Sequence, residues 1–339
     1  MTRILVIAPS WVGDAVLAQP LFRRLNERHA NLTLDVLAPP WTHALFARMP
    51  EIHATLGGPF AHGELALMRR YRLARDLSRQ RYEQAIVLPN SFKSALIPLL
   101  AGIPLRTGFV GEARWGLLND ARRLDKSALP LMVDRFAALA EAAGDELQRP
   151  LPAPRLTVDA AARDATLARL ALTLHRPVAV LCPGAEFGPS KRWPPQYFAE
   201  LAGKLAGAGY AVWLAGSAND AALGDEIVRL SEGACINLSG KTTLAEAIDL
   251  LSCASLVVSN DSGLMHIAAA LDKPMLALFG SSSPAFTPPG GPHATVVKLD
   301  LPCSPCFQRE CPLGHFNCML QLTPDRVWQR INFAKINRP

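Results

Sequence analysis

Short apolar runs alternate with longer amphipathic stretches along the first half of the chain. Three strands, each followed by a helix, are predicted there, with the strands at residues 3–9, 32–38 and 84–89 and the helices at residues 15–28, 41–49 and 91–101. Strands that are apolar throughout are typical of a parallel sheet that helices cover on both faces. The pattern therefore predicts an α/β domain of the doubly wound type.

The same pattern begins again after a proline-rich stretch at residues 151–155. Five further apolar runs follow, at residues 177–184, 210–216, 234–240, 254–260 and 274–280. The length of 339 residues exceeds what one core usually holds. We therefore predict two Rossmann-like domains whose parallel sheets face each other across a cleft, with the division into residues 1–155, a linker at 156–176, residues 177–322, and a C-terminal helix at 323–339 that packs back on the first domain.

Loops beyond the carboxyl ends of the strands hold the ligands in sheets of this type. Polar and glycine-containing loops occur at those positions, at residues 9–14 and 89–94 in the first half and at 183–193, 216–221, 239–243 and 259–266 in the second. We expect the chemistry of the protein in these loops.

Residues 259–266 (SNDSGLMH) form a candidate anion site. Asp261 and Ser262 stand at N-cap distance from an alanine-rich helix, whose first N–H groups and positive end attract anions. Gly263 would let a phosphate approach the backbone closely, and His266 lies one turn into the helix. For this stretch alone, the alternative is an ordinary capped helix with a histidine in the core.

The loop at residues 183–193 (PGAEFGPSKRW) is a second indication of phosphate binding. Glycines and a proline shape the loop, Lys191 and Arg192 bring adjacent positive charges, and prolines begin the next helix. Lysine binds diphosphate oxygens as a point charge. The alternative is a surface loop with two solvated cations, but two such loops in one domain favour diphosphate binding.

The net charge of +6 suits an acidic partner such as nucleic acid, an anionic membrane surface or a phosphorylated substrate. The densest basic stretch runs from Arg69 to Arg81, and it is either a solvated helix face or a patch for an anionic surface. Few aromatic residues accompany it, and no helix-turn-helix pattern occurs. We therefore expect no nucleic-acid partner.

No stretch approaches the roughly 20 apolar residues of a membrane span, and the first residues lack a signal-peptide pattern. We therefore expect a cytoplasmic protein, in which the seven cysteines are reduced. Cys303, Cys306, Cys311 and Cys318, with His315 among them, come close to metal-ligand spacing. We expect unliganded thiols there, with a structural zinc site as the alternative.

Several stretches resemble the ADP-heptose:lipopolysaccharide heptosyltransferases, glycosyltransferase family 9, and within them the heptosyltransferase II group. The stretches are residues 9–25, 88–108, 183–194, 259–274 and 278–284. The resemblance implies the GT-B fold, with the acceptor on the N-terminal domain and ADP-L-glycero-D-manno-heptose on the C-terminal domain. It also implies inverting transfer of heptose to the heptosyl-Kdo2-lipid A inner core of lipopolysaccharide. We expect the protein at the cytoplasmic face of the inner membrane, where the stretch from Arg69 to Arg81 would help to hold it.

Roles for single residues follow from the same resemblance. It implies that Asp14 is the catalytic base and that Lys191 contacts the donor diphosphate during catalysis. The residues implied to line the donor site are Thr242, near the adenine, with Asp261, Ser262, Gly263 and His266. The residues expected at the acceptor, because their loops should open toward it, are Ser10, Gly13, Asn90 and Lys93.

The residue chemistry agrees with this assignment. Inverting transfer needs a base for the acceptor hydroxyl and positive charge for the departing diphosphate. The sequence has no Asp-x-Asp pair of the kind that holds a divalent ion in metal-dependent sugar transferases. We therefore expect no metal and no cofactor, with Lys191 and a helix end in the place of the ion. For Asp14 alone, a helix N-cap before Ala15 is the alternative.

Other functions for the whole chain stay open at this point. They are heptosyltransferase I or III, a nucleotide-sugar epimerase of the same fold, an NAD oxidoreductase and a basic nucleic-acid-binding protein. Neither first turn has the G-x-G-x-x-G pattern that a nicotinamide enzyme would show.

Overall fold

The computed structural model describes residues 2–58 and 65–332. The chain divides into two compact units, Met1–Pro154 and Arg155–Pro339. Each unit is built on a six-stranded sheet in which every strand pairing is parallel. The predicted α/β fold class is thereby confirmed.

The first unit alternates strands with helices along the chain. Its strands are β1 (Thr2–Ile7), β2 (Leu32–Ala38), β3 (Ala54–Gly57), β4 (Gln84–Val87), β5 (Leu105–Phe109) and β6 (Asp120–Arg122). Its helices are α1 (Val12–Leu17), α2 (Gln19–Arg28), α3 (His43–Phe46), α4 (Leu67–Ser78), α5 (Phe92–Leu100) and α6 (Met132–Ala138).

The second unit repeats this arrangement. Its strands are β7 (Val178–Cys182), β8 (Ala211–Leu214), β9 (Ile236–Asn237), β10 (Ala254–Asn260), β11 (Met275–Phe279) and β12 (Ala294–Lys298). Its helices are α7 (Ala160–Arg169), α8 (Pro195–Gly207), α9 (Ala221–Leu230), α10 (Leu244–Leu251), α11 (Gly263–Ala270), α12 (Asn317–Leu320) and α13 (Pro324–Trp328).

Both sheets reverse their strand order at one internal point. The first has the order β3-β2-β1-β4-β5-β6, and the second has the order β12-β11-β10-β7-β8-β9. The reversals lie between β1 and β4 and between β7 and β10. Loops that leave neighbouring strands at such a point diverge to opposite faces of the sheet and leave room for a ligand.

The central strands are apolar because both of their faces are covered. All five side chains of β7 are buried, and the middle of β1 has no exposed surface at Ile4, Leu5 and Val6. Apolar residues from helices, such as Leu201 and Phe198 of α8, complete the core of the second unit. The predicted strands at 32–38 and 254–260 coincide with β2 and β10.

Other elements differ from the prediction. The helix expected at 15–28 is two helices, which meet at Ala18, because Pro20 starts a new helix and cannot continue an earlier one. Strands β3, β5, β6 and β12 were not predicted, because all four have partly exposed residues and lack a buried apolar run.

The range predicted as a linker contains helix α7, which packs on α10 within the second unit. At the C-terminus, α13 packs on α8 of the same unit. The helix was predicted at 323–339, and its residues 333–339 lie outside the described residues.

Candidate active site

The reversal point of the second sheet brings together the two loops that the sequence singled out. The lysine loop (residues 183–193) follows β7, and the aspartate loop (residues 260–263) follows β10. Lys191 Nζ lies 2.6 Å from Asp261 Oδ2, and the two side chains are only 17% and 5% exposed. An ion pair so withdrawn from water is held by strong mutual attraction, since either charge alone would be costly there.

Asn260 ties the two loops to each other. Its Nδ2 donates to the Pro183 carbonyl at 2.7 Å, and its Oδ1 accepts from the Trp193 N–H at 3.2 Å. Asn260 has no exposed surface. Asn260 lies within the predicted anion site at residues 259–266, but this structural role was not predicted, although a polar residue at the end of an apolar strand is a signal for it.

Helix α11 starts at Gly263 beside this ion pair. Ser262 is its N-cap residue, but the Ser262 side chain does not cap the helix and lies 3.3 Å from Ser259 Oγ instead. The Ser262 side chain therefore accepts no capping hydrogen bond from the first N–H groups of α11. A helix end of this kind attracts an anion.

His266 lies one turn into α11 and is buried, as the alternative interpretation of a core histidine also predicted. Its Nδ1 has no hydrogen-bond partner among the described residues. Burial lowers the pKa of His266 to about 4; the neighbouring Asp261 works against this shift and Lys191 adds to it. The imidazole is therefore neutral near pH 7 and can donate or accept a hydrogen bond.

Glycines permit the close packing of this sheet edge. An added Cβ at Gly184 would stand 2.5 Å from the Asp220 carboxylate. Asp220 Oδ2 accepts hydrogen bonds from the Ser217 N–H and hydroxyl at 2.9 Å and 2.7 Å, which fixes the loop after β8. The loop after β8, one of the polar loops predicted to hold the chemistry (residues 216–221), is thus packed directly on the lysine loop.

Thr242 is half-buried in the loop that follows β9. The next residue, Thr243, is the N-cap of α10 and forms a capping box with Glu246. Because β8 separates β7 from β9 in the sheet, Thr242 lies farther along the sheet edge than the ion pair does.

The reversal point of the first sheet carries the predicted acceptor residues. Ser10, Gly13 and Asp14 follow β1, while Asn90 and Lys93 follow β4, which is the neighbouring strand. Asp14 is half-buried and is the third residue of α1, whose N-cap is Trp11. The alternative in which Asp14 is the N-cap is therefore wrong.

Two arginines that the sequence analysis did not assign to this site fix the loop after β4. Arg114 is buried, and its Nη2 donates to Asn90 Oδ1 at 3.1 Å. Arg70 is also buried; its Nε donates to the Leu65 carbonyl at 2.6 Å and its Nη1 to the Lys93 carbonyl at 3.2 Å. Arg70 thus differs from its exposed neighbours in the basic stretch and joins α4 to α5.

The four cysteines of the C-terminal stretch lie near one another as free thiols. Burial raises the pKa of Cys318, and the other three thiols raise it further. The Phe316 N–H lies 3.4 Å from Cys311 Sγ and lowers the pKa of that thiol. Within residues 2–58 and 65–332, no three histidine, cysteine, aspartate or glutamate side chains are grouped so that they could hold a metal ion.

The described part of the chain contains no helix that is both long enough and apolar enough to cross a membrane.

Two doubly wound parallel sheets with polar loops at both reversal points are typical of the GT-B fold. Comparison with known proteins gives the family. The model of "Glycosyltransferase family 9 (heptosyltransferase)" matches residues 70–317. The chain belongs to this family and is a glycosyltransferase, so the oxidoreductase alternative is wrong.

Individual relatives agree with the family model. The chain is 45% identical to lipopolysaccharide heptosyltransferase 2 of Escherichia coli, over 97% of both chains. It is 43% identical to lipooligosaccharide heptosyltransferase 2 of Haemophilus ducreyi, over 97% of this chain and 98% of the other. A solved structure of E. coli ADP-heptose lps heptosyltransferase II superposes with a TM-score of 0.89 at 44% identity, over 99% of this chain and 98% of the other.

The low pKa of His266 predicts a pH dependence of stability. The folded protein binds the His266 proton less tightly than the unfolded chain, with a pKa of about 4 against the ordinary 6.5. The free energy of unfolding contributed by His266 is therefore fully present above pH 6.5 and falls as the pH is lowered toward 4. Urea unfolding of wild type and His266→Gln between these pH values should show a shallower decline in the variant.

The exposed His175→Gln is the matched control and should leave the decline unchanged. An equally steep decline in His266→Gln would contradict the assignment of a neutral, buried imidazole.

Proposed function

We propose that the protein transfers L-glycero-D-manno-heptose from ADP-heptose to the heptosyl-Kdo2-lipid A inner core of lipopolysaccharide, with inversion. The high identity to heptosyltransferase 2 proteins over nearly the full length supports this choice within the family. The main structural support for donor binding in the second unit is the Lys191–Asp261 ion pair beside the first turn of α11. It combines a cation with a helix N-terminus, and both favour a diphosphate.

In the donor half of the proposed site, the diphosphate lies at the start of α11. Backbone N–H groups near Ser262 and Gly263 bind phosphate oxygens. The ammonium group of Lys191, which pairs with Asp261, also attracts these oxygens. Neutral His266 offers a hydrogen bond from the same helix. Thr242, farther along the sheet edge, contacts the adenine.

In the acceptor half, Asp14 is the general base. Its carboxylate takes the proton of the acceptor hydroxyl as that oxygen forms a bond to the anomeric carbon of the heptose. The bond from that carbon to the diphosphate breaks, and its electron pair leaves with ADP. Ser10, Gly13, Asn90 and Lys93 bind the acceptor, where Gly13 leaves room for a sugar and Lys93 attracts phosphate.

Negative charge grows on the departing diphosphate during this reaction. We propose that Lys191 and the N-terminus of α11 stabilise it, without a divalent ion or another cofactor, because the sequence offers no Asp-x-Asp pair to hold an ion.

The surface of α4 supports a membrane partner. Leu67, Met68 and Tyr71 are exposed although they are large and apolar, and Arg69 and Arg72 are exposed beside them. Apolar side chains with flanking cations suit an anionic lipid surface. We propose that this face rests on the cytoplasmic side of the inner membrane, where a lipid-linked acceptor would be present.

Lys191→Ala should lower turnover by about 100-fold or more, because the variant loses a charge that acts on the transition state. Steady-state kinetics with ADP-heptose and the lipid acceptor measures this, with Lys204→Ala as the control, because Lys204 is an ion-paired lysine of α8 outside the proposed site. Turnover close to that of wild type would remove Lys191 from catalysis.

Asp14→Asn should lower turnover by about 10²- to 10⁴-fold, the range for loss of a positioned base. ADP affinity, measured by calorimetry, should stay unchanged. The melting temperature should fall only slightly, since a first-turn carboxylate contributes about 0.3–1 kcal/mol to a helix. Asp325→Asn, in the first turn of α13, is the matched control for that small effect. An active Asp14→Asn enzyme would refute the base assignment.

Charge reversal at Arg69 and Arg72 should weaken binding to vesicles that contain anionic lipid. Each cation near such a surface contributes about 1 kcal/mol, and added salt should reduce the effect. Vesicle co-sedimentation measures the binding, and reversal at Arg229 and Arg330, which are exposed in the second unit, is the control. Binding that responds to neither salt nor the Arg69 and Arg72 reversals would contradict a role for α4.

A further inference from the structure

The cysteine-containing segment (residues 303–318) packs on the lysine loop. The Ser190 N–H donates to the Arg309 carbonyl at 3.2 Å, and Ser190 Oγ donates to the Gln308 carbonyl at 2.5 Å. The Phe307 N–H donates to the Ser281 carbonyl at 2.7 Å, which anchors the segment to the end of β11. The backbone on both sides of Arg309 is thus fixed against the loop that carries Lys191.

Gly188 makes this close approach possible. An added Cβ at Gly188 would collide with the Arg309 carbonyl oxygen, and its φ of +156° lies where glycine is favoured. The segment is therefore fitted to the lysine loop at the level of the backbone.

The Phe187 ring of the lysine loop is close to two cations, one from the lysine loop itself and one from the cysteine-containing segment. Lys191 Nζ lies 5.0 Å from the centre of the Phe187 ring, and Arg309 Cζ lies 5.8 Å from the same centre. Both distances are within the range of cation–π attraction. The ring contact brings the Arg309 guanidinium to the neighbourhood of Lys191, although the two residues are far apart in sequence.

Lys191 alone does not balance the negative charge of a diphosphate at this site. Asp261 already neutralises Lys191 at 2.6 Å, whereas a nucleoside diphosphate carries a negative charge on each phosphate and gains more on leaving. Arg309 is exposed, and its guanidinium makes no hydrogen bond or ion pair with a described residue. Its N–H groups are therefore available to a ligand.

We propose that Arg309 binds the donor diphosphate together with Lys191 and stabilises the charge of the leaving group. The proposal rests on the proposed donor site and adds a residue to it. Guanidinium is suited to this task, because its planar N–H groups donate two parallel hydrogen bonds to phosphate oxygens. Phe187 is the positioning residue that orients both cations.

The test compares full-length wild type with Arg309→Gln and Arg309→Lys. Arg309→Gln should weaken ADP binding about 10-fold or more, as expected for loss of a charge-assisted hydrogen bond. Adenosine, which has no phosphate, should bind equally to both proteins in ligand-observed NMR. Arg309→Lys should bind ADP with intermediate affinity, and turnover should follow the same order.

Arg229→Gln is the matched control, since Arg229 is an exposed arginine in the last turn of α9. It removes the same charge at the opposite edge of the sheet and should leave ADP affinity unchanged.

The outcomes separate this inference from the donor site on which it rests. If wild type binds ADP and Lys191→Ala weakens that binding but Arg309→Gln does not, the role of Arg309 is refuted and the donor site stands. Equal losses of ADP and adenosine affinity with a lower melting temperature would also refute it, since they indicate only a structural role. Wild type that binds no ADP would overturn the donor site itself.

Discussion

The ion pair of Lys191 and Asp261 is the interaction on which the arrangement of the second unit depends. It joins loops from β7 and β10, and both side chains are largely withdrawn from water. Breaking such a pair would leave an uncompensated charge, so the two loops must stay together. Asn260 joins the same two loops through hydrogen bonds to the backbone of Pro183 and Trp193.

The Lys191–Asp261 pair also affects how the site binds an anion. An anion beside Lys191 has to compete with Asp261, which already holds the ammonium group at 2.6 Å. Further positive groups shift that competition in favour of the anion, and the N-terminus of α11 and the Arg309 guanidinium are such groups. The cysteine-containing segment therefore matters through the backbone contacts that place Arg309, whatever the state of its thiols.

Much of the fold was predictable because its signals are local. Runs of buried apolar residues indicated β2 and β10 with correct bounds, and Pro195 marked the start of α8. Lys191 and Asp261 were selected because strand ends in a parallel sheet share one edge.

The remainder depends on contacts between distant residues. The inward turn of Arg70, the low pKa of His266 and the position of Arg309 over the Phe187 ring each involve partners from other elements. Helical spacing places Arg70 on the same face of α4 as the buried Ala74 and Leu77, but the sequence does not show that the Lys93 carbonyl accepts its hydrogen bond. The short strand β6, with residues Asp120–Arg122, is formed by pairing with β5 and has no apolar pattern of its own.

A crystal structure of the protein with ADP would locate the diphosphate. We expect it at the start of α11, with phosphate oxygens within hydrogen-bond distance of Lys191 Nζ and of backbone N–H groups near Ser262 and Gly263. A diphosphate bound elsewhere, with the Lys191–Asp261 pair unchanged and no contact to α11, would contradict it.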